Sequence, residues 1–426
     1  MLALGFCAQA GLAHAQFTDD LGFSAPSSVV QGSGARALGM GGAFLARADD
    51  ATAVSWNPAG LSYLARPELC VVGVHKGFAQ STTDRHSETL YAEDFQGTSP
   101  DFLSAAWPIR LGSTSGSVQV AYQRVLGFAG NRTWSKVPAG SVPGTIDETE
   151  TINFASHSEG GFDTVSFAAG LRIARPIRIG VVINRWLNGF EETRQRLGDK
   201  RAVQQNVTFD LSGWNANLGV IVHPTENFNV GFVYKWPFEG DVVLSRRSRE
   251  GDLPVAPVTG YPTLSFPAAA GVGLSWRLTS PLTVSADFTR SYWSQGHIYD
   301  YFDVARPPTT YPDLLYPTLL QAPPQENSDQ WRFGVEYVLV GRKLSVPLRA
   351  GYYSDRQYFV DARGSAPRYD GVTVGAGVVF RGLLVDVAYV RQTGSYQDPD
   401  WVAQSGRAKV TTHQLYASLI YRFGSN

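Results

Sequence analysis

From Glu68 onward the chain alternates large apolar residues with small or polar ones at a period of two, and helical periodicity is almost absent. In Trp331-Arg332-Phe333-Gly334-Val335-Glu336-Tyr337 every odd position is large and apolar, with Arg, Gly and Glu between them. Segment 228–236 sets Phe228, Val230, Phe232, Tyr234 and Trp236 against Asn229, Gly231, Val233 and Lys235. The pattern recurs at 165–173, 270–278, 282–289 and 372–380. Successive side chains of a strand point to opposite faces, so each stretch predicts a strand with one apolar face. Counted this way, about fourteen strands are predicted, near 68–78, 101–111, 117–127, 163–174, 176–190, 203–223, 226–246, 264–279, 281–293, 328–340, 345–356, 369–381, 383–393 and 410–423.

A soluble β-sandwich and a membrane barrel share one-sided strands. Two features favour the barrel. The polar faces carry Arg, Lys and Glu at mid-strand, where they need water or partners, and a polar lumen supplies both. The links also alternate in length. Short ones (Arg175-Pro176, Pro224-Thr225-Glu226-Asn227, Thr279-Ser280-Pro281, Gly341-Arg342-Lys343, Arg381-Gly382) are interleaved with long ones near 79–100, 128–162, 191–202, 247–263, 294–327, 357–368 and 394–409. Short turns at one end, long loops at the other and an even strand number are the pattern of outer-membrane barrels. The fold expected is all-β: a transmembrane antiparallel β-barrel over 67–426.

The beginning of the chain reads differently. MLALGFCAQAGLAHA is apolar and ends in the small-x-small triplet Ala13-His14-Ala15, as in a secretory signal peptide over 1–15. Its removal would leave Cys70 as the one thiol of only 2 cysteines, which fits an exported chain. No later run reaches the roughly 18 apolar residues of a membrane-spanning helix. Residues 16–66 are rich in glycine but also contain Leu38, Phe44, Leu45, Val54, Trp56 and Leu61. That apolar content argues against a disordered linker. It predicts a compact hatch that plugs the lumen, with Phe44, Leu45 and Trp56 in its packing. At the other end, Leu415-Tyr416-Ala417-Ser418-Leu419-Ile420-Tyr421-Arg422-Phe423 alternates and closes on an aromatic. Such an ending resembles the signal that hands barrels to the outer-membrane assembly machinery.

The stretch GSGARALGMGGAFLARADDATAVSWNPAGLS, with Asn57-Pro58-Ala59 at its heart, resembles the N-terminal hatch of the FadL family, long-chain fatty acid and aromatic hydrocarbon transporters of the bacterial outer membrane. Segments LSGWNANLGVIVHPTENFNVGFVYKWPFEGDVVLS, LSFPAAAGVGLSWRLTSPLTVSADFTRSYWSQ and NSDQWRFGVEYVLVGRKLSVPLRAGYYSDR are similar to its middle and late strands, in the same order. The resemblance implies fourteen strands, the number reached from alternation. It also implies passive uptake of hydrophobic small molecules, hatch rearrangement centred on Asn57, Pro58 and Ala59, and sideways exit at a kinked third strand. Gly127 and Gly130 would permit such a kink. Tyr311, Leu314, Leu315, Tyr316, Leu319 and Leu320, in loop 294–327, are the expected capture surface. The partners expected are a hydrophobic ligand, outer-membrane lipids with lipopolysaccharide, and the barrel assembly machinery, the protein itself being a monomer. Barrels that act in protein secretion at the cell surface carry a similarly worded hatch, so a client-binding role is the alternative.

Charge excludes one class: 36 basic and 37 acidic residues leave a net charge of -1, which does not favour nucleic acid. No cofactor or metal is expected, because the seven His show no ligand spacing. Gly32-x-Gly34-x-x-Ala37 lacks the preceding strand of a dinucleotide site. Nor is an enzyme expected: His413 and Ser418 lie five apart on one strand, hence on opposite faces. Asp49-Asp50 reads as a hatch turn paired with Arg36 or Arg47.

Overall fold

The alternating stretches pair with one another into a closed wall. The computed structural model describes residues 32–83, 89–128, 130–136, 152–197, 203–250, 253–261, 263–295, 298–299, 326–397 and 406–424. Its strands are β1 (Glu68–Thr83), β2 (Thr89–Leu111), β3 (Thr114–Gly127), β4 (Gly130–Lys136), β5 (Ile152–Arg172), β6 (Ile177–Leu187), β7 (Gly189–Leu197), β8 (Val203–Thr225), β9 (Phe228–Lys235) and β10 (Phe238–Glu250). There follow β11 (Leu253–Gly260), β12 (Thr263–Phe266), β13 (Ala269–Arg277), β14 (Leu282–Ser291), β15 (Ile298–Tyr299), β16 (Ser328–Val340), β17 (Ser345–Arg356), β18 (Arg368–Phe380), β19 (Leu383–Gln397) and β20 (Arg407–Arg422). Neighbours pair antiparallel in chain order. β20 returns to β1 in unbroken register from Glu68–Arg422 to Thr83–Arg407. Closure leaves no free edge among the described strands. Segments such as β3 with β4, or β6 with β7, are parts of one traverse, and the barrel has 14 strands.

The apolar half of each alternation faces out. Trp331 is 47% exposed and Phe333 45%, whereas Arg332 between them is 4% exposed. Leu218, Phe232, Val372, Val374, Val385 and Val387 are likewise exposed. A soluble sheet would bury the first set and expose the second. Apolar outside and ionisable inside is stable only where the surroundings are apolar, as in a bilayer.

The short links fall where expected, but several of the long ones are strand over much of their described length. β1 runs to Thr83, β2 starts at Thr89, and β4 with the first part of β5 occupies much of 128–162. β7, β10, β11 and β19 likewise extend into stretches read as loops. The reason is solvation. Beyond the bilayer both faces of a ladder can meet water, so pairing continues in sequence that carries no apolar period. β8 shows the boundary directly. Trp214 and Leu218 point outward, but farther along the strand Val207, Phe209 and Leu211 are buried and Asp210 is exposed. The apolar residues change parity on a continuous strand.

Residues 32–66 fill the ring. Short helices α1 (Ala35–Gly39) and α2 (Ala53–Trp56) and a 3-10 turn (Pro58–Tyr63) are almost wholly buried. Their contacts reach around the wall. Ala35 N donates to Ser418 Oγ of β20 at 2.6 Å, Gly41 N to Thr373 Oγ1 of β18 at 2.9 Å, and Phe44 N to Asp287 Oδ2 of β14 at 2.7 Å. On the other side Gln119 of β3 donates to Ala51 O at 2.6 Å. A segment bonded to strands so far apart lies in the lumen. Its backbone presses against inward glycines: a Cβ at Gly180 would sit 2.2 Å from the Pro58 carbonyl carbon, and one at Gly351 2.1 Å from Gly41 N.

Candidate functional site

Two kinds of interior meet inside this barrel. Around the N-terminal segment the lumen is polar and charged. Arg36 pairs with Asp49 at 2.6 Å and Asp50 at 3.0 Å, as expected for that acidic pair. Arg47 instead bonds Glu336 of β16, which also accepts from Arg349 Nε at 2.7 Å, and Arg349 reaches Asp386 of β19 at 2.6 Å. Apart from the part-exposed Asp49 these charges are largely buried but mutually paired, which is the condition for keeping them ionised away from water. They fix the first half of the segment to the β16–β19 wall.

Asn57-Pro58-Ala59 holds the opposite side. Asn57 Nδ2 donates to Leu45 O at 2.8 Å, to Val220 O of β8 at 3.1 Å and to Phe232 O of β9 at 3.2 Å. Its Oδ1 accepts from Ala59 N at 3.1 Å and so caps the 3-10 turn that Pro58 begins. Phe44 and Trp56 pack edge to face with centroids 6.0 Å apart. Leu45 lies against the wall instead, its carbonyl 2.3 Å from where a Cβ on Gly231 would stand.

Toward the long-loop end the inner wall turns aromatic. Phe128, Phe162, Trp186, Phe190, Phe209, Phe238, Val207, Leu211, Val242 and Leu264 form one buried cluster, with Val125, Leu126 and Phe266 against it. Trp186 stacks on Phe238 at 4.7 Å and on Phe266 at 5.0 Å. Phe190, Phe209, Phe162 and Phe128 continue the series at 4.7–5.4 Å. A second series lies at the mouth, where Trp293 stacks on Tyr358 at 4.6 Å and Phe359 meets Tyr396 at 5.3 Å. Burial pushes the Tyr358 phenol up to about 12, so this ring stays neutral. Between the two series is a partly open cavity of about 80 Å³. Trp186, Phe238, Phe266 and Trp293 line it, Val54 and Ser55 of the N-terminal segment line it too, and Asn184, Asn215, Asn217 and Lys235 add polar groups.

The aromatic cluster ends at a lapse in the wall. β2 pairs with β3 as far as Phe102–Gln123 and with β4 from Gln96–Asn131 onward. Residues 97–101 and the described part of 124–130 make no cross-strand pairs with each other. Gly127 ends β3 and Gly130 opens β4, so both expected kink residues flank the lapse. The break between β3 and β4 is flanked from inside by a polar pin: Arg124 donates to Asp163 at 2.9 and 3.2 Å, and Asn188 Nδ2 to the same carboxylate at 2.9 Å. Asn188, at φ 67, interrupts the traverse between β6 and β7.

Sequence reasoning did not find the aromatic lining, the cavity or the Asp163 pin. The signal available was the change of parity in Val207, Phe209 and Leu211. Tyr311, Leu314, Leu315, Tyr316, Leu319 and Leu320 lie outside the described residues, as does the stretch read as a signal peptide. His413 faces outward and Ser418 inward.

These features define a closed, bilayer-type barrel whose lumen is filled by its own N-terminal segment and lined with aromatic rings above it. No family model and no curated protein matches the chain. Among solved structures it is similar to a Pseudomonas aeruginosa FadL homologue (TM-score 0.64, 14% identity, covering 93% of this chain and 100% of that one). It is also similar to the P. putida toluene transporter TodX (0.61, 16%, 93% and 100%) and to the Ralstonia pickettii toluene transporter TbuX (0.53, 15%, 93% and 99%). The likeness shows the fold: this is a FadL-type barrel.

Proposed function

We propose that the protein is a passive carrier of hydrophobic small molecules across the bacterial outer membrane. The observation that carries this reading is the aromatic interior, which runs from Trp293 and Tyr358 at the mouth, past the cavity, to Phe128 at the lapse in the third traverse. A water-filled pore gains nothing from such a lining. An apolar solute gains about 25 cal/mol for each Å² it removes from water, and no covalent step is required.

On this reading residues 16–66 are the hatch, and the barrel begins at 67. Ligand is captured at the long-loop end, where Tyr311, Leu314, Leu315, Tyr316, Leu319 and Leu320 would contribute, and settles above Val54 and Ser55. Rearrangement of the hatch about Asn57, Pro58 and Ala59 frees the way, and the ligand leaves sideways where β2 and β3 part beside Gly127 and Gly130. The molecule works as a monomer in the outer membrane, among lipid and lipopolysaccharide, after delivery by the barrel assembly machinery. The solved FadL-type barrels named as toluene transporters support this class of cargo.

The test is uptake of labelled toluene and oleate by cells lacking the protein, with and without complementation. Faster uptake of at least one compound on complementation is expected. Equal uptake of both would remove the transport reading, and secreted proteins that co-purify with the barrel would then point to the client-binding alternative.

A further inference from the structure

We propose that the short-turn rim of the barrel binds anionic phospholipid headgroups of the leaflet it meets. What the barrel carries does not enter. The charge of the rim, its depth and its spread around the wall point to this partner.

The charge is one-sided. Arg175 lies in the β5–β6 turn, Arg342 and Lys343 in the β16–β17 turn and Arg381 in the β18–β19 turn, all exposed. Arg66 stands just before β1, Arg110 next to the end of β2, Arg172 at the end of β5 and Arg277 at the end of β13, and these are exposed as well. Against these eight cations, Glu226 in the β8–β9 turn is the one exposed acid among the described residues of the rim. Glu68 is buried there and bonded to Arg422. None of the eight is in an ion pair among the described residues. The whole chain has a net charge of -1, so the rim is a local excess. Toward the long-loop end the signs are mixed, Asp94, Asp210 and Asp370 being exposed along with Arg247, Arg391 and Lys409.

The depth is that of lipid headgroups. Trp276 precedes Arg277, Phe380 precedes Arg381, and Trp107 lies three residues before Arg110; all three rings are exposed on the outer wall. The Arg381 guanidinium lies over the Phe380 ring, 5.2 Å from its centroid. Aromatic girdles mark the two interfaces of a membrane barrel. Cations just beyond the girdle stand level with lipid phosphates, which a guanidinium binds through two parallel N–H bonds.

The spread separates lipid from protein. The β2–β3, β5–β6, β13–β14, β16–β17 and β18–β19 turns and the β20–β1 seam all contribute, and β8–β9 is the gap. Lipid touches a barrel on every side, whereas a docked protein covers one. A zwitterionic headgroup brings its own ammonium to the rim. A headgroup with net negative charge does not, and a cationic surface draws it in preference.

The experiment uses the purified full-length protein in detergent, given equal amounts of phosphatidylglycerol and phosphatidylethanolamine with the same acyl chains. Native mass spectrometry then counts the lipids retained. Phosphatidylglycerol should be retained over phosphatidylethanolamine by about fivefold, the effect of a single cation at a lipid surface. Raising the salt from about 0.1 to 1 M, which shortens screening from about 10 to 3 Å, should reduce the preference. Four substitutions made together, Arg277→Gln, Arg342→Gln, Lys343→Gln and Arg381→Asn, should abolish it. Asparagine is chosen at 381 because that residue has φ 46, which asparagine tolerates. Removing four cations from the other end, by Arg247→Gln, Arg391→Gln, Arg407→Gln and Lys409→Gln, changes net charge equally and should leave the preference intact. Equal loss in both variants, or none in the rim variant, would overturn the assignment to the rim. Should the rim variant fail to fold, the two-lipid comparison and its salt dependence on the unaltered protein still decide. Equal retention of the two lipids by the unaltered protein overturns the proposal and leaves an acidic protein as the partner for such a rim.

Discussion

Asn57 joins three backbone carbonyls through one amide nitrogen, two of them on the wall, while its oxygen caps the turn that follows. Each neutral hydrogen bond contributes about 1 kcal/mol, and the partners left behind are buried. Asn57→Ala should therefore loosen the N-terminal segment by about 2 kcal/mol without touching the strand ladders. The expected result is changed uptake and earlier proteolysis near residue 57, with the heat-modifiable band of the folded barrel retained. Loss of that band would show that the residue serves assembly instead. Gly219 is the wall's half of the same contact, since a Cβ there would stand 2.0 Å from Asn57 Oδ1. Gly219→Ala should reproduce the effect, and the double variant should add little to either, because both disrupt one contact.

Within single strands, the parity change in β8 places the boundary of the bilayer between Leu211 and Trp214, and this is testable by charge. Leu218 faces outward below the boundary, and Thr208 lies on the same parity above it. Arginine facing lipid near mid-membrane costs about 2–4 kcal/mol, falling toward zero at the interface. Leu218→Arg should lower the temperature at which the folded band converts, and Thr208→Arg should leave it unchanged; equal effects would refute the boundary. The break between β3 and β4 makes a second test. Asp163 is fully buried and receives both Arg124 and Asn188. Asp163→Ala strands the Arg124 guanidinium, a loss of about 3 kcal/mol for a buried pair, so the lapse beside Phe128 should become more open to protease. The strands that cross lipid were legible because lipid imposes alternation: Trp331 to Tyr337 could be read residue by residue. Where water replaces lipid the signal disappears, and β4, β11 and the outer ends of β1 and β2 carry no alternation that marks them as strand. The cavity was illegible for another reason. Trp186, Phe238 and Asn217 are far apart in sequence and meet only through the registers of β6, β8 and β10, which no local pattern specifies.

At the scale of the whole molecule, the wall and its contents are held together unevenly. The first half of the N-terminal segment is bound by charge to β16–β19, through Arg36, Arg47, Glu336, Arg349 and Asp386. The second half is bound mainly by hydrogen bonds and close backbone contact to β5, β6, β8 and β9, with Arg178 of β6 donating to Ser62 at 3.1 Å and lying over the Tyr63 ring. While Ser33 of the first half bonds Asp101 beside the lapse in the wall, the second half also lines the cavity through Val54 and Ser55. Movement that releases a ligand should begin there, and a restraint should matter according to where it is placed. Ala35 N and Ser418 Oγ are joined by a 2.6 Å hydrogen bond, which makes these two positions the pair to test with an engineered disulfide. In a Cys70→Ser background, cysteines at 35 and 418 would tether the start of the segment to β20 at its already anchored end. If only the second half moves, oxidation should leave uptake within about twofold of the reduced protein, because a constraint matters only where the two states differ. If the segment leaves the lumen as a unit, oxidised protein should be nearly inactive and reductant should restore it. The oxidised-to-reduced uptake ratio decides between local rearrangement and wholesale ejection, and the distribution of charge predicts the former.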